Sequence, residues 1–83
     1  MIKLYGTILC PDCRVAMINL DKAGVAYEFF DISTNLLNLK RFLNIRDTSH
    51  VFNKVKENLG IGIPCIVLED GTITLNLEDA LNK

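Results

Sequence analysis

The first part of the chain contains two strand-like segments with a helix-like apolar pattern between them. Residues 1–5 mix apolar and β-favouring side chains and predict a short strand that ends at Gly6. In residues 13–23 the apolar positions recur every three or four residues, which is typical of a helix, and Gly24 stands where that helix would end. Residues 25–32 are aromatic and β-branched and predict a second strand. These elements form a β-α-β unit.

The middle of the chain predicts two helices in succession. Residues 35–46 carry leucines at helical spacing. A further helix is expected to bury Phe52, Val55 and Leu59 and to end at Gly60. Both helices would connect the second strand to the third.

The C-terminal part predicts a hairpin followed by a short helix. Residues 65–68 form a continuous apolar run, as in a central strand covered on both faces. Residues 69–71 are a turn signal, residues 72–75 predict a returning strand, and Asn76 resembles a helix start. The order β-α-β-α-α-β-β-α, with a right-handed crossover in the first unit, predicts an α/β fold: a four-stranded mixed sheet with helices on both faces.

Length and charge narrow the function classes. A chain of 83 residues with 49% hydrophobic content predicts a single domain, 1–83, that can bury its own core. Nine basic and ten acidic residues without a long run of either sign argue against a nucleic-acid partner. The sequence contains neither a secretory signal pattern nor an apolar run of roughly 18 residues. We therefore expect a cytoplasmic protein without a membrane span, and a monomer.

The stretch Cys10-Pro11-Asp12-Cys13 lies where the first strand gives way to the first helix. In the cytoplasm structural disulfides are rare, so a Cys-x-x-Cys pair is more often catalytic or metal-binding. A helix N-terminus favours the thiolate, which is the nucleophile in disulfide exchange, and proline is tolerated in the first turn. Cys10 is therefore expected to be the exposed attacking thiol. Cys13, about one turn on, would close a disulfide with it.

Two neighbouring features modify this prediction. Asp12 places a carboxylate between the sulfurs, which opposes thiolate formation at Cys10 and makes the couple more reducing, and Arg14 would partly offset that charge. Ile63-Pro64 precedes the apolar third strand, and X-Pro is the bond type in which the cis form is common. A cis bond there would leave the backbone of Ile63 free to pair with an extended substrate.

The motif Cys10-Pro11-Asp12-Cys13, the element order and Ile63-Pro64 together resemble the glutaredoxin family, the small branch of the thioredoxin fold, over essentially the whole chain. The resemblance implies a thiol–disulfide oxidoreductase that reduces protein disulfides or glutathione mixed disulfides. Glutathione or a thioredoxin-reductase-like enzyme would restore its dithiol, and no cofactor or metal would be tightly bound.

The resemblance also implies roles for individual residues. Cys10 would be the nucleophile and Cys13 the resolving cysteine. Pro64 would be the cis-proline, and Ile63 would contact the glutathione cysteine through its backbone. Pro11 and Asp12 would complete the substrate-binding set.

Three departures from the family pattern affect glutathione. Thr7 stands where members often have lysine, and Asp12 replaces the usual aromatic residue between the cysteines. Residues 74–79 keep only the acidic end of a Gly-Gly…Asp pattern that holds a glutathione carboxylate. These departures predict weak glutathione binding and favour a protein partner.

Other interpretations of the same residues remain open at this stage. The cysteine pair could be redox-inert, or could bind a metal or cluster with Cys65 and His50, since zinc accepts three thiolates and an imidazole. Cys65 is expected to be a core residue, with a third reactive thiol as the alternative, and His50 to be exposed. The basic residues 40, 41 and 46 are expected to be a solvated helix face, with docking of an acidic partner as the alternative.

Overall fold

The computed structural model describes residues 1–82 and confirms the predicted order of elements. The strands are β1 (Ile2–Gly6), β2 (Tyr27–Asp31), β3 (Cys65–Val67) and β4 (Ile73–Thr74). The helices are α1 (Pro11–Lys22), α2 (Leu36–Thr48), α3 (Asn53–Glu57) and α4 (Leu77–Leu81), with a single 3₁₀ turn at His50–Phe52. Among these residues, no helix is both long and apolar enough to cross a membrane.

The four strands form one mixed sheet in the order β2-β1-β3-β4. Strand β1 runs parallel to β2 and antiparallel to β3, and β3 runs antiparallel to β4. The parallel pair needs a crossover, which α1 supplies. The sheet therefore has β1 and β3 at its centre. Because these two strands are antiparallel, the loop after β1 and the loop before β3 lie at the same end of the sheet.

Each face of the sheet carries its own core because side chains alternate along a strand. One core joins β1 and β3 to α1 and α4, and its buried members are Ile2, Leu4, Ala16, Leu20, Ile66, Leu68 and Ala80. The other core lies on the opposite face, and its buried members are Tyr5, Phe42, Phe52 and Cys65. The prediction of helices on both faces is thus confirmed.

The segment after α2 differs from its predicted form. The structure divides the expected single helix into a 3₁₀ turn and α3, which ends at Glu57. Phe52 is buried, but the burial predicted for Leu59 is wrong: this side chain is 94% exposed. The reason is local, because Leu59 has φ +59° and the N–H of Gly60 bonds back to the carbonyl of Val55 at 2.8 Å. The helical periodicity therefore does not extend to Leu59, because this left-handed turn follows the end of α3.

Candidate active site

Cys10 is the residue that precedes the first helical residue of α1. Its backbone is extended, its N–H donates to the carbonyl of Thr7 at 3.1 Å, and its carbonyl accepts from the N–H of Arg14 at 3.2 Å. The side chain is partly exposed. These bonds fix the loop between β1 and α1, so the Cys10 sulfur is held at the helix N-terminus, where the dipole favours negative charge.

Cys13 lies on the inner side of α1 with no exposed surface. Burial raises the pKa of Cys13 to about 11; the Thr7 backbone N–H acts in the opposite direction, and a hydrogen bond to the Cys10 side chain raises the pKa further. Cys13 is packed against β1, because a Cβ atom on Gly6 would lie 2.7 Å from its sulfur. The buried thiol therefore keeps its proton at neutral pH.

A chain of hydroxyl groups supports the loop that carries Cys10. The Thr7 hydroxyl accepts from the N–H of Leu9 at 3.2 Å and donates to the Ser33 hydroxyl at 3.0 Å. The Ser33 hydroxyl donates to Asp31 at 2.6 Å, and the hydrogen bonds from Ser33 and then Thr34 lower the pKa of Asp31. Sequence reasoning missed this support. The signal was the Asp-x-Ser-Thr pattern at the end of β2, since Asp readily bonds to the residues that follow it in a turn.

The facing wall of the site is the segment 60–64, before β3. The Ile63-Pro64 peptide bond is cis, as predicted. Neither the N–H nor the carbonyl of Ile63 takes part in a backbone hydrogen bond within residues 1–82. Gly62 has φ +94°, and a Cβ atom there would lie 2.6 Å from the Phe52 ring, so only glycine fits.

A groove of about 490 Å³ separates the two walls. It is lined by Thr7, Leu9, Cys10, Ile61, Gly62 and Ile63, none of which is charged. The fold therefore brings Cys10 and the backbone of Ile63, which has no backbone partner within residues 1–82, to one groove.

The remaining predicted site residues lie around this groove. Pro11 and Asp12 are exposed on the first turn of α1 and do not line it. Pro64 lines a neighbouring cavity of about 390 Å³ with Lys54. Arg14, which is predicted to offset part of the charge of Asp12, donates to the carbonyl of Ile8.

Cys65 lies on the other face of the sheet from Cys13. It pairs with Tyr5 across β1 and β3, and both side chains belong to the core on the α2 face. It has no exposed surface, and burial raises the pKa of Cys65 to about 12. The structure therefore agrees with its interpretation as a core cysteine.

The metal-ligand set considered from the sequence does not come together. His50 is exposed, and the part of the chain that the structure describes holds no group of three or more His, Cys, Asp and Glu residues that could bind a metal ion. Among the described residues, Cys10 and Cys13 are thus a pair without a third metal-ligating side chain.

The chain is similar in structure to one known protein and in sequence to another. No family model matches the chain. A crystal structure of a mutant of the thioredoxin-like protein BC3987 superposes with a TM-score of 0.68 and 25% sequence identity, over 95% of this chain and 92% of that one. An uncharacterized protein of Haemophilus influenzae is 41% identical over 74 residues, which cover 89% of this chain and 86% of the relative. The chain therefore has a thioredoxin-like fold and belongs to the same family as the Haemophilus influenzae protein.

Proposed function

We propose that the protein is a thiol–disulfide oxidoreductase of glutaredoxin type that works through Cys10 and Cys13. The observation that carries the proposal is the placement of the two thiols: Cys10 lies partly exposed at the groove, and Cys13 lies buried one helical turn further on, packed against β1. The thioredoxin-like fold supports a redox function in general. The resemblance of Cys10-Pro11-Asp12-Cys13 to the glutaredoxin motif supports the glutaredoxin-type activity.

The reaction needs two exchange steps. The Cys10 thiolate attacks one sulfur of a substrate disulfide, forms a mixed disulfide and releases the other substrate sulfur as a thiolate. The Cys13 thiol then loses its proton to that thiolate or to water and attacks the Cys10 sulfur. This forms the Cys10–Cys13 disulfide and releases the second substrate sulfur as a thiolate. Two electrons have passed to the substrate, and glutathione or a thioredoxin-reductase-like enzyme reduces the pair again.

The groove would orient an extended substrate segment. The free N–H and carbonyl of Ile63 can pair with a substrate backbone, as when a peptide adds to a sheet edge. A segment bound there would pass beside Cys10, which shares the groove with Ile63. Backbone pairing requires no particular substrate side chain.

A protein disulfide fits this groove better than glutathione does. The lining is uncharged, so the two carboxylates of glutathione would meet no cation in it. Asp12, exposed on the first turn of α1, adds a negative charge near Cys10. We therefore propose protein disulfides as the preferred substrates and glutathione mixed disulfides as weaker ones.

Turnover by cysteine variants tests the proposal. Reduction of insulin disulfides and of a glutathione mixed disulfide should fall to the uncatalysed rate in Cys10→Ser. Cys13→Ser should lose insulin turnover and accumulate a covalent adduct between Cys10 and the substrate, visible by intact mass. Cys65→Ala, which removes a thiol outside the groove, is the matched control and should keep turnover. Wild-type rates in Cys10→Ser would refute the proposal.

A further inference from the structure

The segment 60–63 forms a wall of the groove but has few bonds of its own. Gly60 is tied to α3 through its N–H, and β3 begins only at Cys65. Within residues 1–82, no backbone hydrogen bond fixes residues 61–64 between those two points. The segment also contains a left-handed residue, Gly62. Something other than backbone pairing must hold this wall in place.

Arg46, in the last turn of α2, supplies that support. Its Nε donates to the carbonyl of Ile61 at 2.8 Å, and its Nη2 donates to the carbonyl of Gly60 at 2.7 Å. The planar guanidinium thus donates hydrogen bonds to two successive carbonyls, which a lysine ammonium cannot do with the same geometry. No carboxylate of residues 1–82 forms an ion pair with Arg46, so the carbonyls are its partners.

We infer that Arg46 is a positioning residue for the substrate groove, an inference that rests on the proposed function. Ile61 and Ile63, on the segment that Arg46 holds, line the groove together with Cys10. The guanidinium therefore sets where the apolar side chain of Ile61, which is 57% exposed, and the free backbone of Ile63 stand relative to the sulfur. Arg46 itself does not line the groove.

This role separates binding from chemistry. Without Arg46 the segment would have to be ordered when substrate binds, which weakens binding. The thiols would be unaffected, because Cys10 and Cys13 are fixed by β1 and α1 on the other wall. A loss of Arg46 should therefore appear in KM rather than in kcat or thiol reactivity.

The test compares insulin reduction by Arg46→Gln, Arg46→Lys and a matched control, Arg41→Gln. Arg41 is an exposed arginine of the same helix for which the structure shows no hydrogen bond to the segment. We expect Arg46→Gln to raise KM about threefold to tenfold, from the cost of ordering the wall. Arg46→Lys, which keeps one bond, should fall between, and Arg41→Gln should match the wild type. The kcat and the rate of Cys10 alkylation by iodoacetamide should stay within about twofold of wild type in all variants.

Each other outcome overturns the inference in a recognisable way. Unchanged KM in Arg46→Lys and Arg46→Gln would show that the wall does not depend on the guanidinium. A fall in kcat or in alkylation rate would place the effect on the thiols. Should Arg46→Gln not fold, Arg46→Lys alone decides, since unchanged KM in that variant is equally contrary. An inert wild type would defeat the proposed function together with this inference, whereas an active wild type with unaltered variants defeats only the inference.

Discussion

At the scale of single residues, the site consists of two thiols in different surroundings. Cys10 lines the groove, where a substrate can contact it. Cys13 is buried, and this burial is the main cause that raises its pKa to about 11. Asp12 is the smallest contributor to that shift and acts by repulsion. The cysteine spacing could be recognised from the sequence, but the depth of Cys13 depends on its packing against Gly6.

Replacing Asp12 with Asn should make the Cys10–Cys13 couple more oxidising. The carboxylate repels negative charge on either sulfur and so disfavours the reduced, thiolate-bearing form. Removing it should raise the midpoint potential by about 10–20 mV, which corresponds to an exposed charge interaction of about 0.5–1 kcal/mol. The measurement is a redox titration at low salt, with Asp21→Asn, at the far end of α1, as the control. A potential that stays constant or falls in Asp12→Asn would contradict the expected repulsion.

Cys65 should affect stability at alkaline pH. Its folded pKa of about 12 lies above the ordinary 9.0, so the unfolded chain releases this proton first. The stabilisation from keeping the thiol neutral is complete below pH 9 and is lost between pH 9 and 12. In Cys65→Ala, the free energy of unfolding should fall less steeply above pH 9, because the variant lacks the proton that Cys65 releases on unfolding. The difference in slope is up to about 1.4 kcal/mol per pH unit. Urea unfolding from pH 8 to 10.5 checks this, and equal slopes for the two proteins would contradict it.

At the scale of elements, the junction between β1 and α1 places Cys10 at the groove and packs Cys13 against β1. Sequence patterns located both elements, because a strand and a helix have different apolar periods. The apolar helical pattern starts at Cys13, with Pro11 expected just before or inside the first turn, and α1 begins at Pro11. The close approach of Gly6 to the Cys13 sulfur is a contact between elements, which a local period does not report.

Gly6→Ala should therefore destabilise the fold through Cys13. The added Cβ would lie 2.7 Å from the sulfur, and overpacking of this kind costs about 1–3 kcal/mol. Combining it with Cys13→Ala, which removes the sulfur, should recover about 1 kcal/mol of that cost in a double-mutant cycle. Chemical unfolding of the four proteins gives the coupling. Purely additive costs would show that the clash lies elsewhere.

The segment between α2 and β3 marks the limit of sequence patterns at this scale. Helical spacing extended to Leu59, but a left-handed backbone at that residue ends the pattern. The bonds from Arg46 to the carbonyls of Gly60 and Ile61 span 14 and 15 positions and leave no periodic signal. The sequence therefore predicts a solvated helix face at Arg46, whereas the structure shows its guanidinium bonded to the neighbouring loop.

At the scale of the whole molecule, the sheet order determines which cysteines can meet. Placing β1 beside β3 brings the loop of Cys10 next to the loop of Ile63. The same pairing puts Cys65 opposite Tyr5, on the face away from Cys13. The four-stranded mixed sheet could be predicted from the order of elements. That Cys65 lies apart from Cys10 and Cys13 follows only from the register of β1 and β3, which the order of elements does not give.

The most direct test of this account is a redox titration of the wild-type protein in glutathione buffers of known potential, quenched by alkylation and analysed by intact mass. We predict one two-electron midpoint within about −200 to −270 mV. Oxidation should remove two alkylation sites, at Cys10 and Cys13. Cys65 should be alkylated only after denaturation, in both redox states. If all three cysteines stay reduced throughout the range, or if Cys65 enters the disulfide, the central claim is contradicted.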